Sequence, residues 1–237
     1  MAISERKLPS NLHLHALEDG NALAQSLAKR VAEALNQGLQ SRGTASLMLS
    51  GGRSPIAFFE ALSGYALDWH QVQVGLVDER WIAPDQEGSN EGLLRRYLLR
   101  NAASNAQLMS LYDARLSPEQ AAQRAGQRLA ALKHPIDVLV LGMGDDGHTA
   151  SLFPDSPGLT KALAKDCAEI YLPMQAPVEP RQRISLTYPP LISAQLRCLA
   201  IQGASKLETL HTALSVEPEQ MPVRAFLDQP LDIYWCP

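Results

Sequence analysis

Apolar runs of strand length alternate with helix-length amphipathic patterns along most of this chain, and that alternation leaves few architectures open. After a short alternating segment at 12–17, residues 21–40 place Leu23, Leu27, Val31 and Leu35 on one stripe at i+4 spacing. That is an amphipathic helix, and Gly43 ends it. Residues 45–49 read as a short buried strand, and Ser50-Gly51-Gly52-Arg53-Ser54-Pro55 turns the chain into a helix beginning near Pro55. The order recurs with a strand at 72–77, the polar triplet Asp78-Glu79-Arg80, a loop rich in Pro, Asp, Gly and Asn, and a helix over about 89–100. Ser117-Pro118-Glu119-Gln120 carries an N-cap, a proline at N1 and the Gln of a capping box, so a helix runs from there to Lys133.

Residues 136–141 are continuously apolar apart from Asp137, as a strand covered on both faces should be. Further strands are expected at 184–187, 197–201 and 231–235, with helices at 190–194 and 205–214. The Pro-rich stretch 172–180 is expected to be a loop near a ligand. The expected fold is α/β: a single domain over 1–237, built on a doubly wound, mostly parallel sheet with helices on both faces.

Composition narrows the function. A hydrophobic content of 46% against 19% charged residues is that of a globular chain, not a disordered one. With 21 basic and 25 acidic residues, and no dense Lys/Arg run, nucleic acid is not an expected partner. The opening ten residues have charges but no apolar stretch behind them, and no later segment approaches the roughly 18 apolar residues of a membrane span. A cytoplasmic protein is expected. Cys167, Cys198 and Cys236 are odd in number and show no C-x-x-C pairing, which points to reduced thiols and to neither a disulfide framework nor a zinc site.

In open parallel sheets, ligands bind beyond the carboxyl ends of the strands. Four segments stand there: 50–54, 78–80, 142–148 and 203–206. The first, with two glycines, a serine and a helix start, can offer backbone N–H groups to a phosphate, and Arg53 adds charge. The second combines carboxylates with the Arg80 guanidinium. The third matches G-x-G-x-x-G at Gly142, Gly144 and Gly147. Asp145 and Asp146 would sit where a pyrophosphate needs a helix N-terminus free of negative charge, so a dinucleotide site is rejected. His148, after that glycine, is instead placed to act as a general base, oriented by Asp146 or Asp78. The other histidines, His13, His15, His70, His134 and His211, have no such setting, and His13-x-His15 is too short a pairing to claim a metal. Arg183 and Lys206 complete a candidate phosphate clamp. Lys206 sits at a helix start, where a cation opposes the helix dipole and so suggests a bound anion.

Taken in order, SGGRSP, VDERW with the later Ser89-Asn90, LGMGDDGHTASLFP, RISLT and GASK closely resemble the 6-phosphogluconolactonases of the glucosamine-6-phosphate isomerase/6-phosphogluconolactonase family. The resemblance implies a Rossmann-like parallel sheet and hydrolysis of 6-phospho-D-glucono-1,5-lactone to 6-phosphogluconate, with no cofactor and no metal. It carries the catalytic histidine onto His148, with an acid and arginine pair on Asp78 and Arg80. Phosphate-binding positions fall on Gly51, Gly52, Arg53 and Ser54, on Arg183 with Arg181 as the neighbouring alternative, and on Lys206. Gly144, Asp146 and Gly147 support the histidine loop.

Two other readings compete. The family's amino-sugar phosphate deaminases continue past the histidine as IAFNEP, with a carboxylate, where this chain has TASLFP, so lactone hydrolysis is preferred. A non-catalytic sugar-phosphate sensor would need a further domain for which 237 residues leave no room. The partner expected is a small phosphorylated sugar lactone, with no nucleic acid and no membrane, and the chain is expected as a monomer or weak homo-oligomer.

Overall fold

The computed structural model describes residues 7–237; residues 1–6 of the charged opening segment lie outside the described residues. Strand β1 (Leu12–Ala16) leads into α1 (Gly20–Arg42). The Asp19 side chain caps that helix by accepting the Ala22 N–H at 2.8 Å, and Gly43 stops it in the left-handed region at φ 77°. Its inward face is Leu23, Leu27, Val31 and Leu35 with Ala24, Ala28 and Ala32, all buried. Truncating a fully buried member such as Leu27 to Ala costs about 2–5 kcal/mol. Then follow β2 (Ala45–Leu49), α2 (Ile56–Ser63), β3 (Val72–Leu76), β4 (Asp78–Arg80), α3 (Asn90–Tyr97) and β5 (Gln107–Met109). The second half contains α4 (Pro118–Ala130), β6 (Val138–Leu141), α5 (Leu159–Leu163), β7 (Tyr171–Gln175) and β8 (Gln182–Leu186). It closes with α6 (Tyr188–Ser193), β9 (Leu196–Gln202), α7 (Ala204–Ala213) and β10 (Leu231–Cys236).

Among the described residues, seven strands form an all-parallel sheet in the order β1-β10-β9-β6-β2-β3-β5. From β2 the chain winds outward through β3 to β5, then returns to β6 on the other side of β2 and winds through β9 to β10. This is the doubly wound α/β arrangement, and the order reverses between β2 and β6. Both strands are wholly buried, which is why they read as continuous apolar runs. A crevice at their carboxyl ends is the expected consequence.

The structure corrects several boundaries. Residues 184–187 do not join the main sheet; β8 lies between β4 and β7 in a separate three-stranded antiparallel sheet. Residues 172–180 are not all loop, because β7 occupies the first part despite Pro173. β7 is an edge strand, where a residue without an N–H is tolerated. Asp78-Glu79-Arg80 is itself strand β4. The capping box of α4 forms as expected, but the helix ends at Ala130, and α3 ends at Tyr97. Strand β5 and helix α5 had no visible sequence signal.

Candidate active site

A cleft of about 550 Å³ opens at the carboxyl ends of β2 and β6, and all four strand-end segments reach it. Its walls include Ser50 to Ser54, Asp78, Arg80, Gly142 to Asp145, His148, Arg183 and Lys206. The small sheet supplies Asp78, Arg80 and Arg183, and in β4 and β8 Arg80 stands opposite Arg183. The site is therefore built between the two sheets.

Residues 142–152 form a loop and no helix begins before Leu159, so the G-x-G-x-x-G match lacks the helix a pyrophosphate would need. Hydrogen bonds close this loop on itself. The Gly144 N–H donates to the His148 carbonyl at 2.8 Å, and the Thr149 hydroxyl to the Gly142 carbonyl at 2.8 Å. A Cβ on Gly144 would stand 2.0 Å from Nδ1 of His148, so the ring needs glycine there. Gly147 has φ 75° and packs where a Cβ would meet Met221 at 2.8 Å.

Nδ1 of His148 lies 2.5 Å from Oδ1 of Asp146. Burial alone would raise the Asp146 carboxyl, but hydrogen bonds from the His148 ring and backbone outweigh it and hold the group below its ordinary value. Asp78 makes no hydrogen bond or ion pair with His148; its carboxylate receives the Ser151 hydroxyl at 2.6 Å instead. Of the two candidates for orienting the histidine, Asp146 is the one hydrogen-bonded to its ring. The imidazole also packs against the Phe153 ring, centroids 4.3 Å apart and planes tilted by 36°. In the IAFNEP pattern the carboxylate would occupy this Phe153 position.

The cations are placed unequally. Arg183 is buried, faces the Phe153 ring at 5.9 Å and donates through Nε to the Pro180 carbonyl at 2.7 Å. Burial, with Arg80 nearby, lowers its pKa, against the pull of Asp78 and Glu79. Arg181 is exposed, pairs with Glu179 at 3.2 Å and stands apart from the cleft wall. Lys206 lies 2.8 Å from Asp145, so its charge already has a protein partner and the helix-dipole hint of an anion is weakened. Arg80 donates to the Gly88 carbonyl, while its buried Nε has no partner among the described residues. Arg53 is exposed at the cleft rim. The N–H groups of Gly51, Gly52, Arg53 and Ser54 have no protein acceptor among the described residues, which suits the turn to an anion.

Two residues to which the sequence assigned no role, Glu79 and Asn90, support the site. Glu79 is buried and accepts four hydrogen bonds: from the N–H groups of Arg80, Asn90 and Glu91 and from the Ser89 hydroxyl, at 2.7–3.0 Å. It thereby ties β4 to the start of α3. Burial pushes its carboxyl up to about 7, the hydrogen bonds pulling the other way. Asn90 is also buried; its Nδ2 donates to the Asp78 carbonyl at 2.9 Å, and its Oδ1 presses on Gly51, where a Cβ would stand 1.9 Å away. A Ser-Asn pair at a helix start looks like an ordinary cap, so only its nearness to Gly51 in space marks it out.

No group of three or more His, Cys, Asp or Glu that could hold a metal ion occurs among the described residues, and no helix among them is long and apolar enough to cross a membrane. Residues 18–235 match the family model described as glucosamine-6-phosphate isomerases/6-phosphogluconolactonase. The chain is 52% identical to a 6-phosphogluconolactonase of Pseudomonas aeruginosa, with 100% of both chains covered. It is 42% identical to one of Rhizobium meliloti, covering 95% of this chain and 99% of that one. The crystal structure of a 6-phosphogluconolactonase from Shewanella baltica superposes with a TM-score of 0.91 at 35% identity, covering 98% of this chain and 100% of that one. This chain belongs to the glucosamine-6-phosphate isomerase/6-phosphogluconolactonase family.

Proposed function

We propose that the protein hydrolyses 6-phospho-D-glucono-1,5-lactone to 6-phosphogluconate, with His148 as the general base. The observation that carries the mechanism is the pairing of His148 Nδ1 with Asp146, which leaves Nε2 as the ring's free basic atom. The Gly51 to Ser54 turn, Arg183 and Lys206 clamp the phosphate, and binding energy becomes orientation of the lactone carbonyl. Nε2 takes a proton from water as the water oxygen bonds to C1. Arg80 faces the negative charge that develops on the carbonyl oxygen. The bond from C1 to the ring oxygen then breaks, and the imidazolium returns its proton to that oxygen, so the products are one carboxylic acid and one hydroxyl. Asp78 accepts a sugar hydroxyl and balances the neighbouring guanidinium charges.

Phe153 against His148 favours this chemistry over amino-sugar deamination, because no carboxylate side chain stands there to share protons with the histidine. The reading includes a single lactonase domain over 1–237, acting as a monomer or weak homo-oligomer. Its test is an assay of fresh lactone coupled to 6-phosphogluconate dehydrogenase and corrected for spontaneous ring opening, run beside ammonia release from glucosamine 6-phosphate. Acid formation without ammonia is expected, and the reverse pattern would overturn the reading.

A further inference from the structure

We propose that Ser151 is a positioning residue for Asp78, fixing that carboxylate for the substrate and docking the histidine loop onto the small sheet. The proposal rests on the lactonase reading of the cleft.

Asp78 and Ser185 stand opposite each other in β4 and β8. Ser151 binds both members of this pair. Its hydroxyl donates to Asp78 Oδ2 at 2.6 Å, and its backbone N–H donates to Ser185 Oγ at 3.3 Å. The Ser185 hydroxyl spends its own proton on the Leu186 carbonyl at 3.0 Å, so it is an acceptor toward Ser151. Ser151 and Ser185 are fully buried and Asp78 is nearly so.

The Asn90 amide is a much weaker holder of the carboxylate: Nδ2 lies 3.5 Å from Oδ1 and makes its shorter bond to the Asp78 carbonyl. The short Ser151 contact lies in the range of charge-assisted hydrogen bonds, which are the stronger and more directional kind. It occupies one oxygen and fixes the carboxyl rotation, leaving Oδ1 for a hydroxyl of the bound sugar.

The backbone shows how Ser151 reaches this place. Ala150, between the cleft-lining histidine segment and Ser151, has φ 53°, a left-handed conformation that a residue with a Cβ rarely adopts. Such a conformation persists where surrounding contacts over-determine it. Here those contacts are the Thr149 hydroxyl on Gly142, before the kink, and the two bonds of Ser151, after it. One kink lets His148 and Ser151, three residues apart, serve the cleft and the small sheet respectively.

The test is a double-mutant cycle on kcat/KM for lactone hydrolysis, with S151A, D78N and the pair, and thermal melting of each variant. S151A is expected to lower kcat/KM about tenfold, and adding it to D78N to change kcat/KM by less than about twofold, since its partner's charge is already gone. Ser185→Ala removes the other end of the dock without touching Asp78, and is expected to lower the melting temperature while holding kcat/KM within about twofold.

Equal losses from S151A in both backgrounds, or no loss in either, would overturn the proposal. So would an S185A variant that loses as much activity as S151A. All four proteins are assayed below the lowest of their melting temperatures, where a further large loss in the pair over D78N counts against the proposal. An inactive wild type would defeat the lactonase reading, whereas an active wild type with an additive cycle defeats only the role of Ser151.

Discussion

One carboxylate oxygen of Asp146 meets His148 twice, at Nδ1 of the ring at 2.5 Å and at the backbone N–H at 3.0 Å. The second contact fixes the carboxylate and the first fixes the ring tautomer, so a proton on Nδ1 leaves the lone pair on Nε2. An amide at position 146 can donate to Nδ1 and reverse that assignment. Asp146→Asn is therefore expected to lower kcat at least about tenfold, with KM within about threefold of wild type. Steady-state kinetics on the purified variant check this, and an unchanged kcat would remove Asp146 from the mechanism.

Gly144 tests how closely the loop must approach the ring. A methyl group there would stand 2.0 Å from His148 Nδ1 and 2.5 Å from Asp146 Oδ1, both side-chain atoms that can swing aside. The backbone at 144 is outside the left-handed region, so alanine brings no backbone strain. Gly144→Ala is expected to fold with a melting temperature near wild type while kcat falls about tenfold or more. A fully active G144A enzyme would show that the observed ring position is not the working one.

Arg181 and Arg183 stand two positions apart but in different surroundings. Replacing Arg183 with Ala is expected to raise KM about tenfold or more, because a buried guanidinium beside the cleft is lost. Arg181→Ala, which breaks only an exposed pair with Glu179, is expected to change KM by less than about twofold. Inorganic phosphate as a competitive inhibitor should weaken in the first variant and not in the second. Equal effects would contradict the assignment.

The parts of this protein legible in its sequence are those whose physical cause is local. The stripe of α1, its Gly43 stop and the capping box of α4 depend on residues a few positions apart, and they stand where the pattern puts them. β2 and β6 are readable because strands buried on both faces must be apolar throughout. The small sheet was hidden because β4 is three polar residues whose pairing with β8 spans a long stretch of sequence, and because β7, though next to β8 in the chain, contains Pro173. The cleft residues were legible as strand ends. The roles of Asn90, Glu79 and Ser151 were not, since they depend on partners that the fold brings near.

Glu79 gives the stability of the fold a pH dependence of predictable sign. Burial raises its carboxyl from 4.5 to about 7, so across that window the folded protein retains a proton that the unfolded chain releases. The stability contributed by this proton is complete below about pH 4.5 and is lost as pH rises through about 7. Glu79→Gln cannot titrate, and it costs about 1–3 kcal/mol at all pH values by turning an amide toward a backbone N–H. Denaturant unfolding of both proteins is expected to show wild type losing stability relative to E79Q between pH 4.5 and 7. A constant difference across that range would contradict the account.

The central claim is that His148 removes the proton from the attacking water. Its most direct test is the turnover of purified His148→Asn on fresh 6-phospho-D-glucono-1,5-lactone, measured by the coupled dehydrogenase assay with the spontaneous rate subtracted. The account predicts a kcat roughly 10²-fold or more below wild type, with the melting temperature preserved. A well-folded H148N enzyme with wild-type turnover would contradict it.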